Sequence, residues 1–275
     1  LPDLNMPRKI AVKSAKNPVT LAQALARIKD LELRQKELRR ELRDIRSRNQ
    51  TVSIDLGFAL ELERRRSQEL EEAYYDTVLR LTRASAYKDR ETGAHIQRVS
   101  HYARILARHA GWSDDDQELI FRAAPMHDVG KIAIPDNLIR KRGSLDGGDR
   151  AVMESHTLIG ASLLEGSSSR LLDMAREIAL THHEHWDGSG YPHGLIGDQI
   201  PIAGRIVMLS DHYDALRSRR SYKRAFDHDS SCRVMLEGDS RTRPSHFDPH
   251  LLSIFARVHT EFDAVFEQYR DESQR

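Results

Sequence analysis

Apolar positions in this chain follow helical spacing almost throughout. From Leu21 to about Leu81 there is no proline and one glycine, Gly57. Within that run Leu31, Gln35, Leu38, Leu42, Ile45, Asn49, Val52, Leu56 and Ala59 recur at alternating steps of four and three. That is a heptad seam sustained over about four repeats, the pattern of a parallel dimeric coiled coil. Gln35 and Asn49 fall on the seam itself, where a buried polar residue sets register and strand number at some cost in stability. Off the seam, Arg39, Arg40, Arg43, Arg46 and Arg48 leave little apolar surface, so one long helix packed on its own domain is the weaker alternative. Thr20 is a candidate N-cap, and Pro18 keeps the helix from starting earlier.

Beyond about Tyr74 the pattern becomes that of a compact domain. Helices are predicted near Asp76–Asp89, Thr92–His109, Ser113–Met126, Asp149–Leu164, Ser169–His183, Ala203–Ser218, Asp229–Glu237 and Pro249–Asp271. Ser113, followed by Asp114, Asp115 and Asp116, gives an N-cap with acids at the positive helix end. Only Ile132–Pro135 and Gln199–Ile202 suggest extended chain, and both are short. The expected fold is all-α: a helical bundle preceded by a long N-terminal coiled-coil helix. The expected divisions are an irregular lead-in over residues 1–20, a dimerisation linker helix over 21–74 and a compact helical domain over 75–275.

Composition narrows the chemistry. Residues 1–82 carry 17 Lys/Arg against 13 Asp/Glu, whereas residues 83–275 carry 26 against 29. The whole chain, at net +1, is not a globally basic binder of nucleic-acid polymers. One cysteine, Cys232, excludes a disulfide framework and a zinc or iron–sulfur site built from cysteines. No apolar run reaches the roughly 18 residues of a membrane span, and no signal-peptide core follows the N-terminus, so a cytoplasmic protein is expected. The unusual count is histidine, at 14.

Five of those histidines sit among carboxylates at a regular rhythm: Glu91 with His95, the pair His127–Asp128, His156, the pair His182–His183, and Asp211. Each gap is about the length of a helix, a loop and a returning helix, so a bundle can aim all of them at one centre. Glu91 and His95, four apart, share a helix face. Imidazole and carboxylate without thiolate suit iron, manganese or zinc. Eight candidates exceed one tetrahedral ion and fit two or three octahedral ones, with Asp128 as the natural bridge. Adjacent histidines on a helix point about 100° apart, however, so His182 and His183 need not serve one ion. The other nine histidines, His228 and His259 among them, read as ordinary.

The words around these residues carry a resemblance. MHDVGKIAIPDNLI and THHEHWDGSGYPHGLIGDQIP look like the two signatures of the HD-GYP domains, a branch of the HD superfamily of metal-dependent phosphohydrolases. DHYDALRSRRSYK falls where that family has its closing Asp and a D-A-L-T-S-x-R-P-Y-K run, and SHFDPHLL is similar to its ending. The resemblance covers about residues 75–265. It implies hydrolysis of cyclic di-GMP to linear pGpG and, in many members, onward to GMP. It implies two or three divalent ions, iron first and manganese as the alternative. By the resemblance, His127, Asp128, His156, His182, His183 and Asp211 match the two-metal core, and Glu91 and His95 match positions that allow a third ion. Asp128 and Lys131 are the expected catalytic residues, with Lys131 near the scissile phosphate. Asp214, Arg220 and Lys223 match positions that contact substrate or site waters. Gly190, Tyr191 and Pro192 form the namesake loop, linked to substrate access and to partners such as a diguanylate cyclase.

The chain departs from the family at Arg217, Arg219 and Ser221, beside the expected substrate contacts. A module that binds cyclic dinucleotide or a diguanylate cyclase with little turnover remains the alternative function, and another cyclic dinucleotide is the alternative substrate. NPVTLAQALARIKDLEL, Asn17–Leu33, looks like the last helix of a response-regulator receiver running into a linker. A receiver core is not in the chain, and a coiled coil joining a receiver to an enzyme is the expectation if the chain belongs to a longer protein. Changing Leu42 and Ile45 together to Glu is expected to abolish dimerisation in light scattering; an unchanged mass would return the helix to a solitary role.

Overall fold

The computed structural model describes residues 20–89, 93–141, 143, 146–218 and 225–270. Every extended element among them is helical. The one β-type pairing is an isolated bridge between Asp187 and Ile196. In chain order the helices are α1 (Leu21–Asp89), α2 (Gly93–His109), α3 (Asp114–Ala123), α4 (Asp136–Ile139), α5 (Gly147–Glu154), α6 (His156–Leu163), α7 (Arg170–Thr181), α8 (Ile202–Arg217), α9 (His228–Glu237) and α10 (Pro249–Gln268). Tighter 3₁₀ turns cover Ala124–Ala133, Gly197–Gln199 and Pro244–His246. These take in parts of the two segments expected to be extended. No described helix is long and apolar enough to cross a membrane.

The chain divides into two compact units between Leu70 and Glu71. In the first, the described residues from Leu21 to Leu70 all belong to α1. It starts where Thr20 and Gln23 cap one another, each backbone N–H donating to the other's side chain. Its seam residues Leu31, Leu38, Leu42, Ile45, Val52 and Leu56 are all exposed.

In the second unit, the last turns of α1 pack on the bundle. Tyr75 and Val78 lie against the core, Ser85 Oγ donates to the carbonyl of Val129, and Lys88 Nζ donates to the carbonyls of Ile132 and Ile134. The core runs between α2, α3, α7, α8 and α10. At its centre Tyr102 stacks on Phe262 with ring centres 4.5 Å apart and meets the edge of Tyr213 at 5.3 Å. Burying aromatic rings of this size in offset and edge contacts supplies much of the packing energy of a small bundle.

Three of the predicted helices end early or break. Ser113 caps α3 as expected, accepting from the N–H of Asp116, but the helix gives way to a 3₁₀ segment at Ala124. Pro125 has no N–H to continue the α-ladder, and the tighter winding carries the chain through His127, Asp128 and Lys131. The helix expected over Asp149–Leu164 breaks at Ser155. There Ser155 Oγ, His156 Nδ1 and Thr157 Oγ1 bond the carbonyls of Val152, Met153 and Glu154 in turn, at 2.6, 2.7 and 2.9 Å. Three successive side chains thus take carbonyls that a continuous helix would use, and the chain turns. α7 stops at Thr181, two residues before His183. Each interruption falls on a candidate ligand.

Candidate metal centre

Residues from five segments converge in the second unit: His95 at the start of α2, His127, Asp128 and Lys131 on the 3₁₀ segment, His156 at the start of α6, His182 and His183 at the end of α7, and Asp211 on α8. They form two adjoining groups. Asp128, His156, His182 and His183 each offer a ligand atom within 4.8 Å of the others, and so do His95, His127 and Asp211. Asp128 touches both groups. Its Oδ1 lies 3.2 Å from Nε2 of His156 and 3.6 Å from Nε2 of His182, and its Oδ2 lies 3.2 Å from Nε2 of His127. Lys131 Nζ is 2.6 Å from the same Oδ2.

The imidazoles are held in one tautomer. His127 Nδ1 donates to the carbonyl of Ala124 at 2.8 Å, His156 Nδ1 to that of Met153 at 2.7 Å, and His182 Nδ1 to those of Ile178 and Ala179, both at 3.1 Å. With the proton on Nδ1, each Nε2 presents a lone pair to the centre. Nε2 of His156 and Nε2 of His182 approach to 3.5 Å. Two lone pairs facing across that distance repel unless a cation sits between them. The donor set therefore fits divalent metal: imidazole nitrogen and carboxylate oxygen, tautomers preset, enough donors for two ions.

Electrostatics point the same way. Burial, reinforced by the neighbouring His182 and His156, holds His183 well below the ordinary imidazole range, and burial lowers His182 although Asp128 partly opposes it. Both stay neutral and able to ligate near neutral pH. Burial alone would raise the carboxyl of Asp128, but Lys131 and His127 outweigh it and keep the group well below the usual carboxylate range.

His182 and His183 do come together, because both lie past the last full turn of α7; their ring centres are 4.0 Å apart. The loop that follows is shaped around them. Tyr191 stacks on His183 at 4.7 Å, and its N–H donates to the carbonyl of His183 at 3.1 Å. Gly190 is needed there: a Cβ would fall 2.2 Å from the backbone nitrogen of His185. Glu184 ties the loop down by accepting from the N–H groups of His193 and Leu195 at 2.7 and 3.0 Å. Gly130 serves the other side, where a Cβ would fall 1.9 Å from the carbonyl oxygen of His156. Only a bare backbone lets the 3₁₀ segment pass so close to α6.

Asp214 does not have the expected role. Its side chain is 0% exposed and lies in a bidentate pair with Arg98, at 2.6 and 2.8 Å, with His95 Nδ1 at 2.8 Å and Ser218 Oγ at 3.2 Å. A carboxylate so enclosed cannot meet substrate; it orients His95 so that Nε2 faces Asp211 at 3.6 Å. Sequence reasoning missed Arg98, which donates in addition to the carbonyl of Tyr269. Its signal was a charge among the buried positions of α2, beside Val99 and Tyr102. Arg217, one of the departures from the family run, is buried, stacks on Phe266 at 4.1 Å and pairs with Asp263 at 2.6 Å. Glu91, Arg219, Arg220, Ser221 and Lys223 lie outside the described residues.

The HD domain family matches residues 80–251. A 3′3′-cGAMP-specific phosphodiesterase of Vibrio cholerae is 42% identical over 72% of this chain and 37% of its own length. A cyclic di-GMP phosphodiesterase response regulator of Xanthomonas campestris is 38% identical over 88% of this chain and 64% of its own. A cyclic di-GMP phosphodiesterase of Thermotoga maritima is 37% identical over 74% and 54%. The chain thus spans between about a third and two thirds of the length of these curated relatives. Among solved structures, a cyclic GMP-AMP phosphodiesterase of V. cholerae shares the fold with a TM-score of 0.52 at 16% identity, over 72% of this chain and 51% of the other.

The Asp214 pair yields a stability prediction. Burial alone would raise the Asp214 carboxyl, but the bonds from Arg98 and His95 hold it well below the ordinary range. Its contribution is therefore complete above the unfolded value near pH 4 and is lost as pH falls toward the depressed folded value. Asp214→Asn is expected to cost about 3–5 kcal/mol in urea unfolding at neutral pH and to flatten the loss of stability below about pH 4. Equal stability of variant and wild type at pH 7 would contradict this account of Asp214.

Proposed function

The chain belongs to the HD domain family, and from that premise we propose that it is a metal-dependent phosphodiesterase that hydrolyses cyclic di-GMP to pGpG, with GMP as the further product. One observation carries the reading: a largely enclosed carboxylate, Asp128, presents one oxygen to each of two adjoining groups of imidazole and carboxylate donors. His127, Asp128, His156, His182, His183 and Asp211 would hold two ions, with His95 and Glu91 available for a third; iron is the preferred metal and manganese the alternative. A bound pair of such ions supplies Lewis-acid polarisation of a phosphate and lowers the pKa of water toward neutrality.

The chain's own residues do the rest. Asp128 fixes the spacing between the two donor groups. Lys131, held beside Asp128 Oδ2 at 2.6 Å, places an ammonium where the phosphate gains negative charge. Tyr191, stacked on His183, forms one wall of the site, with Gly190 and Pro192 on either side of it in the loop. Arg220 and Lys223 supply further cations for the phosphates of a cyclic dinucleotide. The domain itself is slightly acidic, so local cations and metal must draw in a dianionic substrate. The exposed α1 seam supports a homodimer through the N-terminal helix, and the absence of any spanning helix among the described residues is consistent with work in the cytoplasm.

The similarity to a cGAMP-specific enzyme gives a second substrate a definite place in the test. The protein, reconstituted anaerobically with iron or with manganese, is incubated separately with cyclic di-GMP and with 3′3′-cGAMP, and products are followed by chromatography. Linear pGpG from cyclic di-GMP is expected. Turnover of 3′3′-cGAMP alone would move the substrate, and tight binding without linear product would make the chain a binding module. Lys131→Met is expected to lower kcat by about 10²–10³-fold with metal content unchanged. Asp128→Ala should lose both metal and turnover, and full activity in that variant would remove Asp128 from the centre.

A further inference from the structure

The single cysteine and two histidines outside the catalytic reading meet on the other side of α8's partners. His228 and Cys232 lie four residues apart on α9, and His259 faces them from α10, with Asp263 one turn further along. One ligand atom from each of His228, Cys232 and His259 lies within 4.8 Å of the others. Nε2 of His228 is 2.9 Å from Nδ1 of His259 and 3.7 Å from the Cys232 sulfur. Nδ1 of His228 shares a hydrogen bond with Tyr213 Oη at 2.8 Å. Arg217 donates to that same Oη at 3.2 Å and to Asp263 at 2.6 Å. Cys232 is buried, while His228 and His259 are only partly so.

We propose that His228, Cys232 and His259 form a second, structural metal site for a divalent ion of borderline softness, zinc above all. Spacing of four on α9 puts an imidazole and a thiol on one face, and the facing helix supplies the third donor. Tetrahedral zinc, with bonds of about 2.0–2.1 Å to nitrogen and about 2.3 Å to sulfur, sets edges of about 3.6 Å between nitrogen and sulfur and about 3.3 Å between nitrogens. The edge between His228 and Cys232, at 3.7 Å, already has about that length, the His259 nitrogen lies within 4.8 Å of the sulfur, and the imidazole pair opens by only a few tenths of an ångström. On binding, the His228 proton moves from Nε2 to Nδ1, where it is donated to Tyr213 Oη. The Cys232 thiol releases its proton to solvent, so one proton leaves for each ion bound. Tyr213 then orients His228, and Arg217, neutralised by Asp263, holds Tyr213 in place. Water from the exposed side takes the fourth position.

Burial pushes the Cys232 thiol up to about 11. The sulfur is thus a poor nucleophile when metal-free and must be deprotonated by the ion itself. An ion here would clip α9 to α10 at its first turn, five residues beyond Lys223. It would make that return from the substrate-side segment depend on zinc. This chemistry is separate from the imidazole–carboxylate centre, which contains no thiolate.

That separation makes the test sharp. The reduced full chain is titrated with cobalt(II), and the near-ultraviolet thiolate-to-cobalt charge-transfer band is recorded. Cys232 is the only cysteine, so cobalt in the catalytic centre cannot produce that band. We expect the band to saturate, zinc to bleach it, Asp128→Ala to retain it and Cys232→Ser to abolish it. His259→Gln, with fold checked by circular dichroism, should weaken cobalt binding at least tenfold. No band from wild-type protein at saturating cobalt would overturn the proposal whatever the variants do. In that case the group is a hydrogen-bonded relay from Tyr213 through His228 to His259.

Discussion

A carboxylate largely enclosed among imidazoles is the constraint on which the second unit depends. Taking most of Asp128 away from water is costly unless compensating charge surrounds it. The bundle provides that charge from one side with Lys131 and arranges His127, His156 and His182 around both oxygens. The histidines come from separate helices, so the elements that carry them must meet at one point for the charge to be tolerated. The Nε2 atoms of His156 and His182 lie 3.5 Å apart, a spacing that fits a shared cation. Fold and chemistry share one requirement here.

The interruptions of regular helix serve that requirement. Pro125 converts the end of α3 into a tighter winding that brings His127, Asp128 and Lys131 round to one side. Ser155, His156 and Thr157 bond the carbonyls of Val152, Met153 and Glu154 and turn the chain so that His156 opens a new helix facing inward. α7 ends just early enough for His182 and His183 to leave the 100° offset of a continuous helix. Gly130 and Gly190 remove the side chains that would block these close passages. Departures from local propensity collect at the site, as expected where function outweighs ideal geometry.

Much of this was legible from spacing and wording. The seam from Leu31 to Ala59 announced a continuous helix, and Ser113 with its three aspartates announced α3. The rhythm from His95 to Asp211 announced convergence, because a helix, a loop and a return helix have a characteristic length. What stayed hidden depends on the third dimension. Asp214 sits three residues after Asp211, one turn along the same helix, and nothing in the pattern separates a carboxylate that faces the centre from one enclosed by Arg98. Arg217 stood out only as a departure beside the expected substrate contacts, and nothing in the pattern showed that its guanidinium goes to Phe266 and Asp263. His228 and His259 looked ordinary because 31 residues separate them, and only the packing of α9 on α10 brings them to 2.9 Å.

The central claim is that Asp128 joins two donor groups into one binuclear centre. The most direct test is a crystal structure of the metal-loaded chain with anomalous scattering recorded at the metal edge. The account predicts two peaks flanking Asp128. One carboxylate oxygen should be within coordination distance of an ion held by His156, His182 and His183. The other should be within reach of an ion held by His127 and Asp211. A single ion, or two ions with Asp128 outside both coordination spheres, would contradict it.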